Sequence, residues 1–164
     1  MAETIKEGAY LYLQRSGDDS GISTKDWGIM VTSMPMLTTM ETKDPESNDW
    51  KDEDGEDVYN NSNVKLKSFD FEIGLVYVGT MKGYVENLQK LSAYLTSKRL
   101  FSVYSPFSES GKHGCYLKSM EDATHGNTGD PNAPYCFTWK MKCCCADPTS
   151  VVEYHLVGTK ITLN

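Results

Sequence analysis

The groups in this chain that could do chemistry are five cysteines, three histidines and 23 carboxylates, and their spacing decides which chemistry is open to them. His113 and Cys115, with the run Cys143-Cys144-Cys145, supply zinc-type ligands. No C-x-x-C pair exists, however, and adjacent cysteines on an extended strand point to opposite faces. Cys143 and Cys145 can share a site that Cys144 cannot join, and the favoured reading is small buried hydrophobes on a core strand. A cysteine nucleophile needs a histidine and an orienting group beside it. His113, His125 and His155 exist, but no G-x-S-x-G or Q-A-C-x-G motif singles out a nucleophile. Gly79-Thr80-Met81-Lys82-Gly83 has too few glycines for a Walker loop. An EF-hand aligned on Gly55 puts Trp50 where the first carboxylate belongs and Asn61 in place of the final bidentate Glu. We therefore expect no catalytic, cofactor-binding or metal-binding residue, and a protein that is not an enzyme.

The carboxylates are unevenly placed. Residues 41–57 hold nine of the 23 acids and two of the 16 basic residues, so this segment carries the whole formal charge of −7 and the rest of the chain holds 14 of each sign. Asp44-Pro45, Ser47-Asn48-Asp49 and Glu53-Asp54-Gly55-Glu56 are turn signals, which makes 41–63 an acidic loop or a protruding hairpin with Asp54-Gly55 at its tip. The acidic balance argues against nonspecific nucleic-acid binding, which needs a basic surface. Five cysteines, three of them consecutive, do not form a secreted disulfide framework, and folding in a reducing compartment is expected. No apolar run is long enough to span a bilayer.

The elements that must position these residues centre on 64–104. Phe69, Phe71, Ile73, Leu75 and Tyr77 alternate with Asp70 and Glu72, the period of a half-buried strand. Val76 and Val78 make the second face apolar, which implies cover on both sides there. Val64 and Leu66 have the opposite parity, so a strand over 64–79 requires a bulge near Lys67-Ser68. Tyr84, Leu88, Leu91 and Leu95 then form one stripe of an amphipathic helix over 84–98, and Leu100–Tyr104 reads as a strand stopped by Pro106. Further strands are expected at 9–14, 27–37, 115–120 and 135–145, with one or two between 151 and 163. Residues 105–114 and 121–134 read as loops, and 1–8 as a flexible arm. The length suits a single domain over 1–164. The fold class is α+β and β-rich: an antiparallel β-sandwich or partly open barrel of seven to eight strands with one amphipathic helix packed on it.

The order Lys25-Asp26-Trp27-Gly28-Ile29-Met30-Val31, acidic Asp54-Gly55 loop, long strand, helix and strand 100–104 resembles the N-terminal domain of bacteriophage distal tail proteins, and more loosely tail-tube subunits. The resemblance covers about residues 9–120. It implies a phage or prophage virion structural subunit, made in the bacterial cytoplasm and placed in the tail. It further implies head-to-tail assembly into a hexameric ring around the DNA channel, with other tail or baseplate proteins as neighbours. Neither sequence-specific nucleic-acid recognition nor a membrane partner follows from it. On that analogy Trp50, Asp52, Asp54, Gly55, Asp57 and Tyr59 are the interface candidates. The chain has Tyr12-Leu13-Gln14 where relatives open with an aromatic-Asn-Gly, and without a carrier-type C-terminal domain no carbohydrate or receptor binding is expected. The competing reading is a small β-barrel ligand-binding module, whose mark would be a deep apolar pocket under the 105–114 and 121–134 loops.

Overall fold

Eleven residues of unbroken alternation, Tyr135–Cys145, and eleven more, Phe69–Gly79, pair along their whole length and form the middle of the sheet. In the computed structural model, residues 8–38, 40–48, 51, 54–55, 57–58, 63–124, 130 and 134–164 are described. The strands in chain order are β1 (Tyr12–Arg15), β2 (Ile22–Ser23), β3 (Ile29–Ser33), β4 (Ser47–Asn48), β5 (Asp57–Val58), β6 (Phe69–Gly79), β7 (Phe101–Ser105), β8 (Ser110–Met120), β9 (Tyr135–Cys145), β10 (Tyr154–Val157) and β11 (Lys160–Leu163). One α-helix, α1 (Met81–Ser97), follows β6, and a 3-10 turn (Thr24–Trp27) separates β2 from β3.

Seven strands make one antiparallel sheet in the order β2-β1-β7-β8-β9-β6-β3. Its two edge strands are neighbours in the chain, joined through residues 24–28, so the sheet must curl toward closure and forms a half-barrel. The concave face is the core. Phe71, Ile73, Leu75, Phe137, Trp139, Met141, Cys143 and Cys145 point into it from β6 and β9, with Leu13, Phe101, Val103 and Cys115 from the flanking strands.

Helix α1 fills the open side. Leu91 and Leu95 are 1% and 2% exposed. The Tyr84 ring stacks on Phe137 at 4.4 Å and meets Trp139 edge-on at 5.3 Å. Tyr94 lies edge-on to Trp27 of the 3-10 turn at 5.8 Å, and its hydroxyl bonds the β1 backbone, accepting from Arg15 N and donating to Leu13 O at 3.3 Å each. One helix therefore packs on the middle of the sheet at β9 and also reaches β1 and the 3-10 turn that joins the two edge strands. It begins at Met81, a turn earlier than its apolar stripe, because Thr80 Oγ1 caps it by accepting from Gly83 N at 3.1 Å.

The β10–β11 hairpin covers part of the convex face, where Tyr154 stacks on Tyr12 at 4.8 Å and on Tyr104 at 5.3 Å above Val152 and Leu163. Beyond it the convex face of β6, β8 and β9 carries ion pairs: Asp70 with Lys118 at 2.5 Å, Glu72 with Lys140 at 3.3 Å, and Lys142 with Glu121 at 3.2 Å.

Several sequence expectations are corrected here. The long strand starts at Phe69, not Val64, so no bulge is needed at Lys67-Ser68; Leu66 instead bridges Thr42. The irregularity lies on β3, between Val31 and Ser33 opposite Gly74, where a Cβ would sit 2.5 Å from both the Thr32 and Ser33 hydroxyl oxygens. Val78 is 57% exposed, so the far end of β6 is not covered on both faces. Residues 110–114 are strand rather than loop. Their polar, glycine-containing sequence conceals a tight approach: a Cβ on Gly111 would lie 2.3 Å from Val103 O. The arm at 1–7 lies outside the described residues.

Candidate functional site

The acidic segment is tied down at its base. Lys43 N donates to Lys65 O at 2.8 Å, Lys67 N donates to Glu41 O at 2.7 Å, and Lys67 Nζ pairs with Glu41 at 3.1 Å. Farther out, β4 pairs with β5 antiparallel, Ser47 opposite Val58 and Asn48 opposite Asp57. Of the interface candidates, Asp54 and Gly55 are exposed, and Gly55 adopts φ 104, a turn conformation that glycine takes without strain. Asp57 lies on β5. Trp50, Asp52 and Tyr59 lie outside the described residues. Glu41, Asp44 and Glu46 are exposed as well. Such a segment, rich in exposed carboxylates and anchored by short backbone ladders, is suited to meeting another surface through charge.

The cysteines do not converge on a metal. Among the described residues no group of three or more His, Cys, Asp or Glu side chains is placed to hold an ion. Cys115 and Cys145 face each other across β8 and β9, both fully buried, and Cys143 lies opposite Leu117. Hydrogen bonding to Cys145, then burial, pushes the Cys115 thiol up, and burial pushes Cys143 up to about 12. Both remain protonated at neutral pH, poor nucleophiles and poor ligands. Cys144 points the other way, toward Tyr116 and Asp70.

One polar pair was not legible in the sequence. Ser102 Oγ and His113 Nδ1 are 2.6 Å apart on adjacent strands β7 and β8. No carboxylate among the described residues bonds that imidazole, so the pair lacks the third group that orients a catalytic base. Nothing in the spacing of Ser102 and His113 marks them, because the β7–β8 hairpin alone brings them together.

Among the described residues two grooves open on the surface. One, of about 390 Å³, is lined by Asp70, Phe71, Glu72, Lys118, Ser119 and Lys142. The other, of about 500 Å³, runs between the end of α1 and β8, with Leu95 and Leu117 inside and Lys98, Arg99, Tyr116 and Lys118 around it. The Arg99 guanidinium lies 5.7 Å from the Tyr116 ring centre. Nearby, Asp18 is shared by Arg15 at 2.6 Å and Lys98 at 2.7 Å, and these two hydrogen bonds hold its carboxyl below the ordinary carboxylate range. Charged side chains line both grooves, Asp70, Glu72, Lys118 and Lys142 the first and Lys98, Arg99 and Lys118 the second, beside Phe71 in the first and Leu95 and Leu117 in the second.

A curled antiparallel sheet plugged by a single helix defines the fold class, and comparison with known proteins agrees. No protein-family model and no curated protein matches this chain. Among solved structures the chain is similar to SPP1 Dit (gp 19.1), a hub adsorption apparatus protein of phages infecting Gram-positive hosts. The TM-score is 0.55 at 13% sequence identity, over 89% of this chain and 52% of that one. This chain thus spans about half the length of that protein. At this identity the likeness speaks to the fold.

Proposed function

We propose that this chain is a structural subunit of a phage or prophage tail, of the distal-tail or tail-tube kind, which assembles head-to-tail into a ring around the DNA channel. The observation that carries the reading is the match of the half-barrel with its one docked helix, across 89% of this chain, to a phage hub protein. Two features of the molecule support it. The acidic segment is anchored by backbone bonds to 65–67 and carries exposed carboxylates at Glu41, Asp44, Glu46 and Asp54, as an element reaching another subunit would. Charged side chains line both described grooves, as suits contact with another charged macromolecule. A hexamer is the oligomer this reading expects, with other tail or baseplate proteins above and below it. The location is the virion tail, after synthesis in the bacterial cytoplasm. No helix among the described residues is long and apolar enough to cross a membrane.

In the ring the acidic segments, and with them Trp50, Asp52, Asp54, Gly55, Asp57 and Tyr59, lie between subunits. Any that face the lumen would repel DNA and let it slide. Chemical crosslinking of the purified chain with carboxylate-to-amine reagents, followed by peptide mass spectrometry, tests this placement. Crosslinks between 41–57 of one copy and lysines of another are expected. Crosslinks confined to single copies at every concentration would overturn it.

A further inference from the structure

On a chain with net charge −7, the groove at the end of α1 is locally positive. Lys98, Arg99 and Lys118 line it; Lys98 pairs with Asp18, which Arg15 also holds, and Lys118 pairs with Asp70, so these four cations and two carboxylates leave two positive charges. Lys98 and Lys118 are each committed to a carboxylate of the same copy, whereas Arg99 is exposed and makes no ion pair among the described residues. Its guanidinium lies over the Tyr116 ring, at an exposed position. The groove also has an apolar floor in Leu95 and Leu117, so a guest can bury side-chain carbon as well as neutralise charge.

The matching surface is on the same chain. Segment 41–57 carries a balance of −7, and its exposed Asp44, Glu46 and Asp54 form no ion pair among the described residues. None of the described residues lining the groove comes from this segment. The base of the segment ends at Lys67, two residues before β6, while Asp70 on β6 bonds Lys118 at the groove's rim. Donor and receiver therefore lie at one end of the sheet. Copies related by rotation alone keep both at one level when the axis runs along the strands, which a closed head-to-tail contact requires.

We infer that the groove of Lys98, Arg99, Tyr116 and Lys118 is the docking site for the acidic segment 41–57 of a second copy of this chain. The identity of the guest rests on the ring reading above. Charge complementarity of this kind fixes register and speeds encounter more than it adds affinity.

The test uses the full chain and a fluorescently labelled synthetic peptide of residues 41–57, followed by anisotropy. Saturable binding is expected that weakens as salt rises from about 0.05 M to about 0.5 M, where the screening length shrinks to a few ångströms. Arg99→Glu, at an exposed position whose one partner among the described residues is the Tyr116 ring, should weaken it by roughly tenfold. A peptide with every acid replaced by its amide should not bind. Failure of the wild-type chain to bind the peptide, or equal binding by Arg99→Glu, overturns the inference. So does preferential capture of a short single-stranded oligonucleotide with the peptide left free, which would make the guest a phosphate backbone. Sedimentation of the same samples separates the two claims. Rings that form equally in Arg99→Glu would remove the groove and keep the ring. Peptide binding by a chain that sediments only as a monomer would do the reverse.

Discussion

Truncating Leu91 to alanine probes the contact on which the fold depends. The side chain is 1% exposed and sits between α1 and the concave sheet, so the change removes buried methyl groups and leaves a cavity that neighbouring rings can only partly fill. Tyr84 is stacked on Phe137 and edge-on to Trp139, and Tyr94 is pinned by its hydroxyl to β1, so the helix has little freedom to settle inward. Leu-to-Ala changes at such sites cost about 2–5 kcal/mol, and the restricted collapse puts Leu91→Ala at about 3 kcal/mol or more. Against a total stability on the order of 5–15 kcal/mol this is a large fraction. For a chain of this length it lowers the melting temperature by roughly 6–12 °C. Urea unfolding followed by circular dichroism would read it as a lower midpoint with an unchanged slope. Leu95→Ala should behave alike. Leu88→Ala, at a half-buried position, should cost less, and Val85→Ala, 44% exposed, no more than about 0.5 kcal/mol. A Leu91→Ala chain as stable as Val85→Ala would show that the helix does not seal the core, and the reasoning from its stripe would be wrong.

Thiol labelling should separate the cysteines. Exposed Cys136 should react with maleimide within minutes in the native chain, and the other four of the five only on unfolding; rapid labelling of more than one thiol would contradict the burial of Cys115 and the 143–145 run. Acid should destabilise the fold in a defined window. Hydrogen bonds from Lys98 and Arg15 to Asp18, and from Lys118 to Asp70, hold both carboxyls below their unfolded values. The unfolded chain thus binds protons first, and this stabilisation is present above the ordinary carboxylate pKa and lost as pH falls through the folded values. Asp18→Asn should flatten the acid limb of stability measured from about pH 6 to about pH 2, and an unchanged limb would refute the assignment. Gly111→Ala should destabilise by about 1–3 kcal/mol in the same urea assay, because the new methyl meets backbone rather than a movable side chain; a neutral effect would mean that the β7–β8 pairing differs from the one described.

How much of this was legible in the sequence depends on where tertiary context intervened. Strand β9 was fully readable because its alternation runs unbroken from Tyr135 to Cys145 and its core face is large and apolar. The helical stripe of Leu88, Leu91 and Leu95 was readable for the same reason, while the first turn was missed because it rests on the Thr80 cap rather than on periodicity. Strand β8 was half missed. Its first residues, Ser110 to Gly114, carry loop-like chemistry, and only pairing with Val103 and Tyr104 makes them strand. The parity conflict upstream of Phe69 was real, but the chain resolves it by ending the strand, not by bulging it. At the candidate site the acidity of 41–57 was visible directly. The basic groove was not, because Arg99, Tyr116 and Lys118 meet only once the β7–β8 hairpin folds back.

A ring subunit must self-assemble. Analytical ultracentrifugation of the purified chain across a wide concentration range, with negative-stain microscopy of the fastest species, addresses it most directly. The expected result is a discrete oligomer with a central opening and sixfold symmetry. A single monomeric species, unchanged up to the highest concentration reached, would contradict it.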